Sequence, residues 1–293
     1  MTDGLEETDE SVVDLAGEVR AITTHGWPEG YEYAATRYAD VILQQSFSMR
    51  CADLVATLVD FQPTLMELRT GGGGRAVFVK RFDDSLGNTR EDGRMVWGKQ
   101  NITIEKSVSL DGNEVRRGRT RGHEIDMFGR GTLAQPLPGI AVEMEWNNKD
   151  PFFDRDLNNF EALHREGAIA IGVIVTRGPR LQDAIAHTVR SKDGGLKYGQ
   201  ASTHWNKLVP KVNLGGGGEC PLLLIGIEPK RIEGFERVFE VKRLLTVAEE
   251  FRQDWRSQGY EKWADAKPKY DALKKQANDL MPPLKDVPSN EEE

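Results

Sequence analysis

Gly139-Ile140-Ala141-Val142-Glu143-Met144-Glu145-Trp146 is the stretch on which the fold turns. Its alternation has a period of two, which in an extended chain sends Val142, Met144 and Trp146 to one face and Glu143 and Glu145 to the other. Downstream, Asp154 to Glu166 carries Leu157, Phe160 and Leu163 at helical spacing. Ala168 to Val175 follows as a continuous apolar run, closed by Arg177-Gly178-Pro179. Strand, helix and wholly apolar strand make a βαβ unit, whose two strands lie parallel and buried.

Outward from this unit the same reading continues. Upstream, Asn101 to Glu105 alternates, Asp111-Gly112 is a turn signal, and Glu114 to Phe128 is expected as the return strand of a hairpin. Leu222 to Ile227 is expected as a further strand of the sheet. Tyr31 to Leu68 has apolar residues at helical spacing (Ala39, Ile42, Leu43 and Phe47, then Leu54, Leu58 and Phe61), which predicts two helices. Phe239 to Leu280 returns to helical spacing and predicts one or two more. The tetraglycine runs Gly71–Gly74 and Gly215–Gly218 lack the Gly-Lys-Ser/Thr that a phosphate loop requires, so they are connections. The fold class is α/β (α+β): a mixed central β-sheet flanked by helices.

The 293 residues carry 39 Lys+Arg against 47 Asp+Glu, a formal charge of −8 that by itself argues against a nucleic-acid partner. Its distribution reverses the inference. Residues 1–20 carry −6 and residues 281–293 carry −3, leaving +1 for everything between. The acidity is that of two solvated tails. Cys51 and Cys220 are too few and too far apart for a disulfide framework or a CxxC pair. No apolar run approaches the roughly 18 residues of a membrane span and no secretory signal opens the chain, so a cytoplasmic protein without membrane contact is expected.

Glu143 and Glu145 stand on one face of their strand, about 7 Å apart. Asp126, from His123-Glu124-Ile125-Asp126, can join them from the preceding strand. Three carboxylates across adjacent strands suit a hard divalent cation such as Mg2+, which offsets both their repulsion and their desolvation. The same alternation also fits an ordinary solvated face, and spacing alone leaves both open. Arg116, Arg117, Arg119 and Arg121 lie just upstream, and arginine forks beside an acidic metal cluster are what a phosphodiester substrate needs. Asn147, Asn148 and Lys149 directly follow the acidic strand, and His204 and Lys207 form a second candidate contact with a nucleic-acid backbone. Glu105 is an outer candidate partner. The triplet Asp154-Arg155-Asp156 reads as helix-start chemistry. The five histidines show no HExxH and no pairing with cysteine, which argues against zinc.

The stretch Ala141-Val-Glu-Met-Glu-Trp-Asn-Asn-Lys-Asp-Pro-Phe-Phe-Asp-Arg-Asp-Leu-Asn-Asn-Phe160, followed by Ala168 to Arg177, resembles the BglII-like branch of type II restriction endonucleases. Ser202 to Lys211, Gly215 to Ile227, Trp97 to Ile104 and Glu124 to Asp126 resemble it too, so the likeness covers most of residues 80–230. It implies a PD-(D/E)xK nuclease core, one or two Mg2+ ions per active site, and hydrolysis of double-stranded DNA by a homodimer at a palindrome. Asp126 takes the place of the family's aspartate, Glu143 the first position of the (D/E)x(K/E) pair and Glu145 its last. Glu145 stands where most members carry lysine, a form shared with BamHI-type relatives, and this leaves open which group orients the attacking water. The resemblance thus implies Asp126 and Glu143 as metal ligands and Asp126, Glu143 and Glu145 as the catalytic acids.

The expectation is a type II restriction endonuclease of a bacterial restriction-modification system. A catalytically inert DNA-binding protein and a repair or RNA nuclease on the same core are the alternatives. The expected organisation is an acidic tail over residues 1–20, a nuclease domain over 21–235 with its core at 80–230, C-terminal helices over 236–280 and a second acidic tail over 281–293.

Overall fold

The computed structural model describes residues 19–22, 26–70, 75–190 and 195–281. Gly71–Gly74 lie outside the described residues, as do nearly all of both acidic tails, whereas Gly215–Gly218 form a turn after the helix that ends at Asn213. In chain order the elements open with strands β1 (Arg20–Ala21) and β2 (Tyr31–Ala35), followed by helices α1 (Ala39–Ser46), α2 (Ser48–Asp60), α3 (Leu65–Thr70) and α4 (Val77–Gly87). Strands β3 (Arg90–Glu91), β4 (Arg94–Met95), β5 (Trp97–Ile102), β6 (Glu105–Leu110), β7 (Asn113–Arg119), β8 (His123–Gly129) and β9 (Gly139–Glu145) come next. The remainder is α5 (Pro151–Arg165), β10 (Ile169–Arg177), α6 (Pro179–Ile185), α7 (Trp205–Asn213), β11 (Leu222–Ile227), α8 (Glu236–Gln253) and α9 (Trp263–Leu280).

A seven-stranded sheet runs in the order β1-β2-β11-β10-β9-β8-β5. Its centre, β9, β10 and β11, is parallel, and antiparallel strands complete both sides. The βαβ unit is thus present as read, with α5 crossing from β9 to β10. Pro151 opens α5 with its φ preset for a helix, and Gly167 ends the turn after it in the left-handed conformation, φ 69°. Phe153, Leu157, Phe160 and Leu163 form the stripe that α5 buries, packed with Ala141, Ile169, Ile174 and Leu224 of the sheet and Leu208 and Val212 of α7. On the opposite face Val142, Met144, Val173, Val175 and Ile225 pack against α1, α2, α4, α6 and the start of α8. The result is a sheet between two helical layers.

Two segments differ from the sequence reading. Tyr31 to Ala35 is a strand, not the start of a helix: it pairs antiparallel with β11, from Leu223↔Ala35 to Ile227↔Tyr31. Three helices, rather than two, follow it before Thr70. The expected return strand from Glu114 to Phe128 divides at Thr120–Gly122. Its first half, β7, pairs only with β6 in a two-stranded hairpin whose every residue is exposed, whereas β8 turns into the central sheet beside β5 and β9. The difference is one of packing: Val108, Leu110 and Val115, the large apolar residues of β6 and β7, are exposed among charged and polar neighbours, while Ile125, Met127 and Phe128 of β8 are buried. The C-terminal reading corresponds to two helices, which share a small cluster of Val241, Leu244 and Ala277.

The α5–sheet contact is tight enough to be tested. A Cβ on Gly172 of β10 would fall 2.3 Å from Phe160 Cδ2, so the ring lies directly on the strand. Replacing Phe160 by Ala removes a fully buried ring and should cost about 3–5 kcal/mol, measured by urea unfolding. Gly172→Leu should destabilise as well, by overpacking the same contact.

Candidate active site

The pairing of β8 with β9 runs from Gly129↔Ile140 to Met127↔Val142 and stops. Asp126 and Glu143 are the next residues on the two strands. There the Asp126 amide donates to the side-chain Oε1 of Glu143 at 3.2 Å. On its other edge β9 stays locked to β10, with Ile174 opposite Glu143 and Thr176 opposite Glu145. The Thr176 hydroxyl donates to the Glu145 carbonyl at 2.7 Å. This one-sided support holds Glu143 and Glu145 buried, each 3% exposed, at the mouth of the opening ladder, while Asp126 is half-buried.

A fourth acid joins them. Asp156 of α5 is 1% exposed and receives Arg155 Nε at 2.8 Å on Oδ1, while its Oδ2 is buried without a hydrogen-bond partner. Arg155 Nη2 also reaches Glu145 Oε1 at 3.4 Å, and Asn148 Nδ2 donates to Glu145 Oε2 at 2.6 Å. Arg75 bridges Asp126, at 3.3 Å, and Asp83. Burial, then the charges of Asp156 and Asp126, drive the Glu143 carboxyl well above its usual range. Burial and Asp156 push Glu145 up to about 8 against the opposing pull of Asn148 and Arg155. Burial also raises Asp156, with Arg155 opposing.

All of these acids and their partners except Asp156 and Asp83 line a cleft of about 890 Å³. Asp126, Glu143, Glu145, Asn147, Asn148 and Arg121 all face it. The other sequence candidates do not. Arg116, Arg117 and Arg119 stand on the exposed β6–β7 hairpin, and Glu105, expected as an outer partner of the acids, is instead the counter-ion of Arg117 (2.9 Å) and Arg119 (3.8 Å) there. Lys149 is exposed beside the site, its backbone bridged to Ser202. Lys207 is half-buried on α7, away from the cleft lining. His204, expected at a nucleic-acid backbone, is instead buried: it is 2% exposed, and burial, then Arg177, lowers its pKa to about 4, so it carries no charge to offer a phosphate.

Sequence reasoning missed Arg75, Arg155, Asp156 and Lys197, all on the cleft or against its acids. Lys197 donates to the Leu68 carbonyl at 2.7 Å, and burial lowers its pKa to about 8. For Asp156 a signal existed: it follows Phe153 by three residues and precedes Phe160 by four, so it lies on the apolar stripe of α5, where an acid has no solvent. Among the described residues no three Asp, Glu, His or Cys side chains are gathered about one point as ligands. The donor set is nevertheless the kind a hard dication takes: carboxylate oxygens in excess, buried, one of them unpartnered.

Because the folded protein keeps on Glu145 a proton that the unfolded chain releases above its ordinary 4.5, ionising this carboxyl in place opposes folding. The folded state binds more protons, so this contribution erodes stability as pH rises from about 4.5 to about 8. Glu145→Gln should therefore melt above the parent protein at pH 8.5 in the absence of metal, and the gap should close by pH 5. A constant gap across thermal melts at both pH values would show that Glu145 does not titrate this way.

The BglII/BglIII restriction endonuclease family model matches residues 31–227. The match spans β2 to β11, and so takes in all of the central sheet except β1, along with every acid of the cleft. No individually curated protein matches the chain. With a mixed sheet of this family's kind and an acidic cleft at its centre, the chain belongs to the BglII/BglIII restriction endonucleases, type II enzymes that hydrolyse DNA.

Proposed function

We propose that this chain is a Mg2+-dependent, sequence-specific endonuclease that cuts double-stranded DNA as a homodimer, within a bacterial restriction-modification system and in the cytoplasm. The observation that carries the reading is the convergence of Asp126, Glu143 and Glu145 where the β8–β9 ladder ends, in a cleft also lined by Arg75, Arg121, Arg155 and Lys197. Buried acids ringed by cations match a substrate that arrives as a phosphodiester with metal.

Asp126 and Glu143 would hold the ion, one or two per site, with water and phosphate oxygens as the remaining ligands. Mg2+, when bound, supplies Lewis acidity toward the scissile phosphate and offsets the charge that develops there. The cationic side chains of the cleft bind and orient the backbone. Glu145 would take a proton from the attacking water: Asn148 donates to its Oε2 at 2.6 Å, and burial keeps it more basic than a solvated carboxylate. Water adds to phosphorus, its proton passing to Glu145, as the bond to the 3′ oxygen breaks; that oxygen takes a proton from solvent water, leaving a 5′ phosphate and a 3′ hydroxyl. The acids form one cluster per chain, and cutting both strands of a palindrome calls for two copies related by a twofold axis. Arg116, Arg117 and Arg119 on the hairpin, with Asn147 and Lys149 at the cleft's edge, supply contacts to the duplex beyond the scissile phosphate.

Asp126→Asn and Glu143→Ala should each lower Mg2+-dependent cleavage of a sequenced plasmid by about 10²-fold or more while DNA binding persists. The parent protein should give discrete bands; a smear, or parental rates in either variant, would overturn the assignment. Light scattering should report twice the 32.8 kDa chain mass. Binding to a cognate duplex in Ca2+ should weaken steeply with salt, with a log–log slope of about −0.9 per phosphate neutralised.

A further inference from the structure

Asp156 has no structural reason to be where it is. It is the sixth residue of α5, beyond the first turn in which an acid benefits from the helix dipole. The other members of its buried stripe, Phe153, Leu157, Phe160 and Leu163, are apolar. A carboxylate in that setting is costly unless both oxygens find partners. Only Oδ1 does, receiving Arg155 through Nε at 2.8 Å and Nη2 at 2.7 Å. Oδ2 is buried and unpartnered, and Asp156 lies close enough to Glu145 for its charge to push that carboxyl up. Arg155 is itself half-exposed and reaches Glu145 only at 3.4 Å, so the cation paired with Asp156 is shared between two acids and open to solvent on one side.

We propose that Asp156 is a fourth acidic ligand of the nuclease centre, its free Oδ2 and the Glu145 carboxylate taking a divalent cation in a position that Arg155 occupies electrostatically in the ion-free protein. The inference rests on the metal-dependent reading above and adds to it a ligand from α5, outside the two strands that carry Asp126 and Glu143. It also explains why Arg155 is exposed on one side. A cation that takes over Asp156 and Glu145 releases the guanidinium toward the cleft, where a DNA phosphate can receive it.

The test is Mn2+ binding to the full chain without DNA, read by electron paramagnetic resonance and by calorimetry, so that turnover plays no part. Asp156→Asn retains the side-chain size and an oxygen for Arg155. It should remove one of two Mn2+ ions per chain, or weaken a single ion by roughly tenfold or more. Asp156→Glu should restore part of that affinity. Arg155→Ala, which removes the competing cation, should bind Mn2+ at least as tightly as the parent. Parental stoichiometry and affinity in a folded Asp156→Asn protein, alongside weakened binding in Glu143→Gln, would overturn this inference and leave the metal-dependent reading intact. Tenfold weaker binding in Arg155→Ala would likewise overturn it, by showing that the pair acts as a packing unit. A parent protein that binds no Mn2+ would overturn both readings together.

Discussion

Everything in this structure that bears on chemistry follows from burying like charges at the end of a β-ladder. Glu143, Glu145 and Asp156 are each nearly inaccessible, and Asp126 stands beside them. Such a group is stable only because it is assembled from elements fixed for other reasons. β9 is held by its parallel neighbour β10, and α5 is pinned by Phe160 seated against Gly172. The apolar contacts on both faces of the sheet supply the stability against which the repulsion is set. The site is accordingly a local conflict within a consistent fold, as functional sites tend to be.

The parts of this arrangement that were legible in the sequence are those encoded by local period. Alternation in Val142 to Trp146 placed Glu143 and Glu145 on one face, and the stripe of α5 and the apolar β10 followed from spacing. Tyr31 to Ala35 was not legible, because five residues directly ahead of three helices are absorbed into the helical count. What makes them a strand is pairing with β11, nearly two hundred residues away. The hairpin was read correctly as a turn at Asp111-Gly112 but was joined to β8, since nothing in the local pattern marks Thr120–Gly122 as the place where the chain changes sheets. Asp156 was hidden by its neighbours: beside Asp154 and Arg155 it looks like helix-start chemistry, and only its position on the buried stripe reveals otherwise.

The positive charge follows the same logic. The arginine cluster of the sequence divides in space, with Arg121 on the cleft and Arg116, Arg117 and Arg119 carried out on an exposed ribbon. The cations that meet the acids come from elsewhere: Arg75 ahead of α4, Arg155 on α5, and Lys197 before α7. Arg75 and Lys197 belong to no motif read in the sequence, and Arg155 was read only as helix-start chemistry, so that the three meet the acids is a tertiary outcome.

That dispersal bears on the presence of a third acid, Glu145, on β9, where the resemblance to the wider nuclease family implies a lysine. A lysine there would place one cation permanently among the acids. With Glu145 the cluster instead carries an additional negative charge, and the compensating cations enter from other elements on longer, partly exposed side chains. Arg75 and Arg155 are each about half-exposed, so they can leave the carboxylates when a stronger cation or a phosphate presents itself, whereas a buried lysine on β9 could not. Lys197, pushed down to about 8 by burial, is the one amine on the cleft whose charge is adjustable near neutrality. With Glu145 in place the charges opposing these acids are thus movable arginines rather than one fixed internal lysine, which is what the metal-dependent reading proposed above requires of them.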